Sequence, residues 1–531
     1  MPTFPATPLL LCLLSVPSIF SSSTAPTVTL PSGPTLTGLS STPSVSSFLG
    51  IRYGSAERFE RAALFDYEDA DSVDATSLGS TCPQKLSVEK PLGMSGDEDC
   101  LFLNVFSPAE TDEELAPVAV FVHGGTYVDG SGNDFPGTEL VDFWQSDDSD
   151  VGRAVVISIN YRLNVFGFMG AEELRLEDGS TGNLGIQDQR LAFEWVRNNV
   201  EAFGGDKDRV MIFGESAGAG SMTMHLSMKE SFGLYDKVVL ESGAFSEWTA
   251  QPLSDAQDVF AQVLEGTACA TVQCLKGLNA EDLFAAGADL QLPVSPKYAP
   301  LGYAPTVDGV EMTSHPWVLL RDGQVRTDAD VMLGSNRDEG AMFITLDGNA
   351  TEVDLEEFWR TGGFGVKDGD IEQLKQIYLD QDYPLDDDKN VYWWAGQRSL
   401  GDFMFTCPTK YFGQNFGEDS FIYHFSHEIY GYPYVEHTFE LPFVFHFADL
   451  VAEEKDKAMA DLMADYWGTF MRDGNPGGGW EPYDAANDAG IWEIVQAGGE
   501  EGGVGPVSDL KVDECQFFNA ATSDRIAEDF N

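Results

Sequence analysis

The stretch Val210-Met211-Ile212-Phe213-Gly214-Glu215-Ser216-Ala217-Gly218 carries four apolar residues straight into a G-x-S-x-G pentapeptide. Four apolar residues bounded by glycine read as a short strand buried on both faces. A helix opening after Ser216 makes a sharp strand-to-helix turn, with glycines where side chains would clash and the serine hydroxyl lifted above the strand end. The pattern alone is weak in a chain with 54 glycines among 531 residues. Its place at a strand-to-helix junction gives it weight. The first amides of that helix face the same spot, where an oxyanion would form.

Outward from this turn, apolar runs at 118–122, 154–159 and 237–240 repeat the strand signal. Residues 186–202 space Ile186, Leu191, Phe193, Val196 and Val200 at helical intervals. Strands alternating with helices predict an α/β fold with a mostly parallel central sheet covered on both faces. Glycine-rich segments at 476–479 and 498–505 read as surface loops. No linker of domain-separating length appears, so one large domain with insertions is expected.

The run at 118–122 ends in His123-Gly124-Gly125-Thr126. Consecutive glycines there let the amides of Gly124 and Gly125 join that of Ala217 as oxyanion donors. His123 precedes the serine and reads as a structural hydrogen-bonding residue, since this kind of turn places the base last. In the order serine, acid, histidine, the run 331–334 leads into Ser335-Asn336-Arg337-Asp338-Glu339-Gly340, which offers two carboxylates. His424, His427, His437 and His446 lie downstream. His424 sits inside an apolar strand and reads as core, whereas His427 and His437 fall in the following loop, where a base belongs. The residues themselves leave open Asp338 against Glu339 and His427 against His437.

Composition narrows the class. Hydrophobic residues at 43% and aromatics at 12% supply a large core and exclude disorder. A net charge of −57, from 87 acidic against 30 basic residues, repels phosphate backbones and anionic membranes, so nucleic-acid partners are not expected. The apolar run 8–20 followed by Ser21, Ser22 and Ser23 reads as a secretory signal peptide over residues 1–23, although no Lys or Arg precedes Arg52. No later stretch approaches 18 apolar residues, so no membrane insertion is expected. Six cysteines remain after the leader: Cys82, Cys100, Cys269, Cys274, Cys407 and Cys515. An even count in an exported chain indicates disulfides, with 15 possible pairings. The absence of a C-x-x-C pair argues against zinc. Asn349-Ala350-Thr351 is an N-glycosylation sequon.

These segments, with several others, carry a resemblance. Phe48-Leu49-Gly50-Ile51-Arg52-Tyr53, Glu98-Asp99-Cys100-Leu101-Phe102-Leu103-Asn104-Val105, Asn160-Tyr161-Arg162-Leu163, Gly182-Asn183-Leu184-Gly185, Asp188-Gln189, Phe203-Gly204-Gly205-Asp206 and 213–220 resemble the type-B carboxylesterase/lipase family, the cholinesterase-like branch of the α/β-hydrolases. The resemblance runs from about Pro26 to Phe518, so residues 26–50 look like the family's first strands, and 24–531 like one α/β-hydrolase domain. It implies Ser216 as nucleophile, Glu339 as acid, His437 as base and no cofactor or metal. It also implies the pairs Cys82–Cys100, Cys269–Cys274 and Cys407–Cys515, and ion pairs Arg58–Glu98 and Arg162–Asp188. The implied activity is hydrolysis of small-molecule carboxylic esters through an acyl-enzyme, by a secreted protein.

Departures from the family narrow the substrate. The segment Cys82 to Cys100 contains no Trp, Phe or Tyr, so a quaternary ammonium group lacks a cation–π partner there. The same segment is short beside the lids of the family's lipases. Trp248, Met342 and Phe343 fall where the family lines its acyl pocket, and Glu215 beside the serine is expected to add negative potential or to serve structurally. A lipase or sterol esterase, and a non-catalytic adhesion-type homologue, are the alternative readings.

Overall fold

The computed structural model describes residues 25–530 except 68–69, 89, 111, 291–297, 300, 363, 365, 385–387, 418–419, 430–431, 448–449, 452 and 496–503. The expected signal peptide at 1–23 lies outside the described residues. An 11-stranded sheet organises the chain. Its strands are β1 (Leu39–Ser40), β2 (Val45–Arg52), β3 (Phe102–Pro108), β4 (Ala116–Val122), β5 (Val155–Ile159) and β6 (Gly205–Glu215). They continue with β7 (Lys237–Glu241), β8 (Asp330–Asn336), β9 (Ser420–Phe425), β10 (Ala489–Ile494) and β11 (Gly505–Ser508). Across the sheet the order is β11-β10-β9-β8-β7-β6-β4-β5-β3-β2-β1. Every pairing from β5 through β10 is parallel, and antiparallel strands close both edges.

The apolar runs become central strands because both their faces are covered. Along β4, Val118, Val120 and Val122 enter one core cluster while Ala119 and Phe121 enter another on the opposite face. The first cluster takes the helix α1 (Leu184–Asn199) through Ile186, Phe193 and Val196. The expected helix at 186–202 stops at Asn199 and tightens into a 3₁₀ turn, Val200–Phe203, ended by left-handed Gly204. The helix α2 (Ala217–Ser227) follows the serine, and the second cluster takes the helix α3 (Glu454–Asp473). Residues 26–50 supply strands, as the resemblance implies: Thr27–Thr29 pairs with Thr35–Thr37, and β2 joins the large sheet. The glycines at 476–479 lie in a loop. Of the second glycine-rich stretch, 498–503 lie outside the described residues and Gly505 opens the edge strand β11.

The cysteines pair as the resemblance implies, Cys82–Cys100, Cys269–Cys274 and Cys407–Cys515. The first encloses an exposed hairpin, Gln84–Ser87 with Lys90–Ser95. The last ties the C-terminal helix α4 (Val512–Asp529) to a third apolar cluster beside the sheet. Both implied ion pairs are present, Arg58 with Glu98 and Arg162 with Asp188, the latter bidentate at 2.7 Å. Parallel strands put their C-terminal ends on one edge of the sheet, where ligands bind in open α/β folds. There β4 ends before His123, β6 runs into Ser216, β8 leads to Glu339 and β9 precedes the loop bearing His437.

Candidate active site

Ser216 stands between β6 and α2 with φ 57° and ψ −121°, a conformation that a side-chain-bearing residue rarely adopts. The surroundings hold it there: its amide donates to the Glu241 carbonyl at 2.9 Å, and its own carbonyl accepts from Gly220 at 2.9 Å. Gly218 is required by close packing, since a Cβ there would lie 2.0 Å from the Val122 carbonyl oxygen. Thr126, Tyr127, Ser242 and Thr438 also have positive φ, and such residues cluster at functional sites.

Ala217 is the first residue of α2, so its amide lacks an intrahelical acceptor. The amides of Gly124 and Gly125 donate to no protein acceptor among the described residues. A Cβ on Gly124 would sit 2.9 Å from Ser216 Cβ, which places this turn directly against the serine. The Gly124 and Ala217 amides therefore flank the serine, and the Gly125 amide follows in the same turn. Behind them, the buried His123 ring stacks on Tyr161 at 4.5 Å. Burial lowers its pKa to about 4, so it is neutral, as a structural histidine should be.

His437 is buried, and its Nδ1 lies 2.6 Å from Glu339 Oε2. A carboxylate accepts, so Nδ1 carries a proton toward Glu339. His437 Nε2 makes no hydrogen bond among the described residues and stands 3.1 Å from Glu215 Oε1, next to Ser216 in the chain. Glu339 Oε1 accepts from the Ser242 hydroxyl and the Asn336 amide, both at 2.6 Å. The neighbouring Asp338 faces away. It is ion-paired with Arg337 and Arg398 at 2.9 Å and accepts from Gln397 and the Val435 amide. Burial opposes its charge, yet the two arginines hold its carboxyl below the usual range.

The other downstream histidines are committed elsewhere. His427 binds Asp456 at 2.8 Å and the Val495 carbonyl at 3.1 Å inside the opposite core. His424 pairs with Glu493, as expected of a satisfied core residue, and His446 pairs with Asp461.

Aromatic rings flank His437: Phe343 lies 5.0 Å and Phe405 4.6 Å from it between ring centroids. Trp248 packs against Phe405 at 6.0 Å and donates to the Met404 carbonyl at 3.2 Å. Met342 is 46% exposed. Phe405 escaped the sequence reading because a π-helical segment, Asp402–Thr406, presents it, and no sequence pattern marks such a turn.

Beneath the site lies a buried set of carboxyls, Glu215, Glu241 and Glu440, beside Glu339. Burial, then the charges of Glu440, Glu339 and Glu241, pushes the Glu215 carboxyl well above the usual range. Glu440, hydrogen-bonded to Asn336, is raised to about 7 by burial and by Glu339. Sequence reasoning missed Glu241 and Glu440, since glutamates at strand and loop ends ordinarily read as solvated.

Among the described residues, no group of three His, Cys, Asp or Glu side chains is arranged to hold a metal ion. No helix of those residues is long and apolar enough to cross a membrane.

A serine at a strained strand-to-helix turn, on the C-terminal edge of a mostly parallel sheet with helices on both faces, defines the α/β-hydrolase class. The chain belongs to the carboxylesterase family, which it matches over residues 25–501, and it is a serine carboxylic-ester hydrolase. It is 30% identical to the para-nitrobenzyl esterase of Bacillus subtilis (strain 168), over 76% of this chain and 81% of the relative. It is 28% identical to the cholinesterase of Mus musculus, over 82% and 76%. Lipase 2 of Diutina rugosa is 29% identical, over 76% and 79%.

Proposed function

We propose that the chain is a secreted carboxylesterase working through Ser216, His437 and Glu339. His437 Nε2 takes the proton of Ser216 as its oxygen bonds to the ester carbonyl carbon. The resulting oxyanion accepts from the amides of Gly124, Gly125 and Ala217. The imidazolium then protonates the leaving alcohol as the carbon–oxygen bond breaks, giving an acyl-serine. Water, deprotonated by the same Nε2, releases the acid. Glu339 keeps the proton on Nδ1 and stabilises the imidazolium. The observation that carries this reading is the 2.6 Å His437–Glu339 contact, with the opposite ring nitrogen, Nε2, 3.1 Å from Glu215 Oε1, the residue before Ser216.

Phe343, Phe405 and Trp248 provide an apolar wall for a small acyl group, with Glu215 and Met342 at its margins. The aromatic-free segment Cys82 to Cys100 argues for neutral esters over choline-like ones. A signal peptide at 1–23, one domain over 24–531, three disulfides and a glycan on the exposed Asn349 complete a secreted protein.

A lipase is the second reading. The hairpin between Cys82 and Cys100 exposes Leu86, Val88 and Leu92 at 50%, 70% and 47%. Its root favours the esterase, because Gln84 is bonded twice to Gly130 and Lys85 pairs with Asp129, which anchors it against a lid-like swing. The test is hydrolysis of soluble and emulsified p-nitrophenyl esters by wild type and Ser216→Ala. The expected result is turnover of short-chain soluble esters by wild type alone. Equal activity in both proteins overturns the site, and an optimum on long-chain emulsions overturns the esterase reading.

A further inference from the structure

A trans peptide group holds its carbonyl and its N–H on opposite sides of one plane. Whatever fixes a carbonyl therefore fixes the direction of the next residue's N–H. The oxyanion turn shows two such constraints in succession. The Tyr161 hydroxyl donates to the His123 carbonyl at 2.8 Å, and that carbonyl shares its peptide plane with the Gly124 amide. His123 Nδ1 lies 2.8 Å from the Gly124 carbonyl, which shares its plane with the Gly125 amide. A carbonyl only accepts, so Nδ1 bears the proton.

We propose that Tyr161 and His123 are positioning residues that aim the Gly124 and Gly125 amides at the reacting carbonyl oxygen by binding the far sides of the same peptide groups. The inference rests on the Ser216 reading above and deepens it.

Both donors are suited to the task. Burial raises the Tyr161 pKa and keeps the phenol protonated, and burial keeps the imidazole neutral. Neither ring has room to drift. Tyr161 is wholly buried, stacked on His123 and set edge-on to Phe168 at 6.3 Å. Its chain neighbours are pinned on both sides. The Asn160 side chain accepts from Ser131 and Gly132 and donates to the Ser80 carbonyl, while Arg162 grips Asp188 and the Glu60 carbonyl. A short, anchored segment after β5 thus backs a turn whose two glycines have no side chains to fix them. Glycines make the close approach to Ser216 possible, and the two borrowed hydrogen bonds restore the rigidity that glycine lacks.

The test is Tyr161→Phe, which keeps the ring and its stacking while removing one hydroxyl. Loss of aim in one of three donors should lower kcat on p-nitrophenyl acetate about tenfold to a hundredfold, somewhat less than deleting a donor, with KM within twofold. A trifluoromethyl ketone, whose adduct with the serine carries the oxyanion, should bind more weakly by the same factor. His123→Phe should show the same pattern through the second amide, and it decides the question if Tyr161→Phe does not fold. Parallel losses in kcat and ketone affinity support the inference. Variants within twofold of wild type in both quantities overturn it, as does a kcat loss with unchanged ketone affinity. The Ser216 reading fails separately, by absence of turnover in the wild type.

Discussion

Replacing Glu440 with Gln should make the protein more stable, and increasingly so as the pH rises. The Glu440 carboxyl is fully buried, hydrogen-bonded to Asn336, and raised from 4.5 to about 7 by burial and the Glu339 charge. In the unfolded chain the same carboxyl titrates near its ordinary value. Between those two values the folded state keeps a proton that the unfolded state releases, so stability is lost as the pH climbs through the window. Above pH 7 the loss is complete and amounts to about 3 kcal/mol, at roughly 1.4 kcal/mol for each tenfold change in proton affinity. Gln carries no charge, and its amide oxygen still accepts from Asn336. It also relieves Glu215 and Glu241, both of which Glu440 pushes upward. At about 2.1 cal/mol/K per residue, the gain corresponds to about 3 °C in a chain of this length. Scanning calorimetry with disulfides intact, at pH 5, 6, 7 and 8, measures it. The two proteins should have similar Tm at pH 5 and diverge toward pH 8. A difference that stays flat across the series, or shrinks with pH, refutes the reasoning.

Three further outcomes follow from the geometry. His437→Ala should lose several orders of magnitude in kcat, whereas His427→Ala should keep turnover and lose thermal stability through its broken Asp456 contact, as paired kinetics and melting curves will read. Gly124→Ala should lower kcat on the order of a hundredfold or more, because the new Cβ would sit 2.8 Å from the Glu215 carbonyl and 2.9 Å from Ser216 Cβ. Removing Cys407–Cys515, with its separation of 108 residues, should cost about 4.8 kcal/mol on the loop-entropy estimate. Removing Cys269–Cys274, separated by 5, should cost about 2 kcal/mol, and denaturant titration of the two double-alanine variants ranks them.

What was legible in the sequence was what short backbone stretches determine. The serine turn follows from a strand, two glycines and a helix start within nine residues, and the Gly124–Gly125 turn from a strand end and two glycines. Long-range partners decide the rest. Asp338 and Glu339 are adjacent, yet Asp338 is drawn off by Arg398, sixty residues later in the chain, and Glu339 is left for His437. The two loop histidines separate because Asp456 in α3 claims His427. Composition and spacing contain neither fact, and only the family resemblance pointed to Glu339 and His437. Tyr161 stands out in the sequence only through that resemblance, since its hydrogen bond to the His123 carbonyl spans 38 residues.

The central claim is that Ser216 carries the acyl group. Wild-type protein mixed with a slowly deacylating p-nitrophenyl ester, quenched within one turnover in acid and digested, gives a direct reading by peptide mass. The account predicts one added acyl mass on the peptide containing Ser216, absent in Ser216→Ala. An adduct on another residue, or full turnover with no adduct at any quench time, contradicts it.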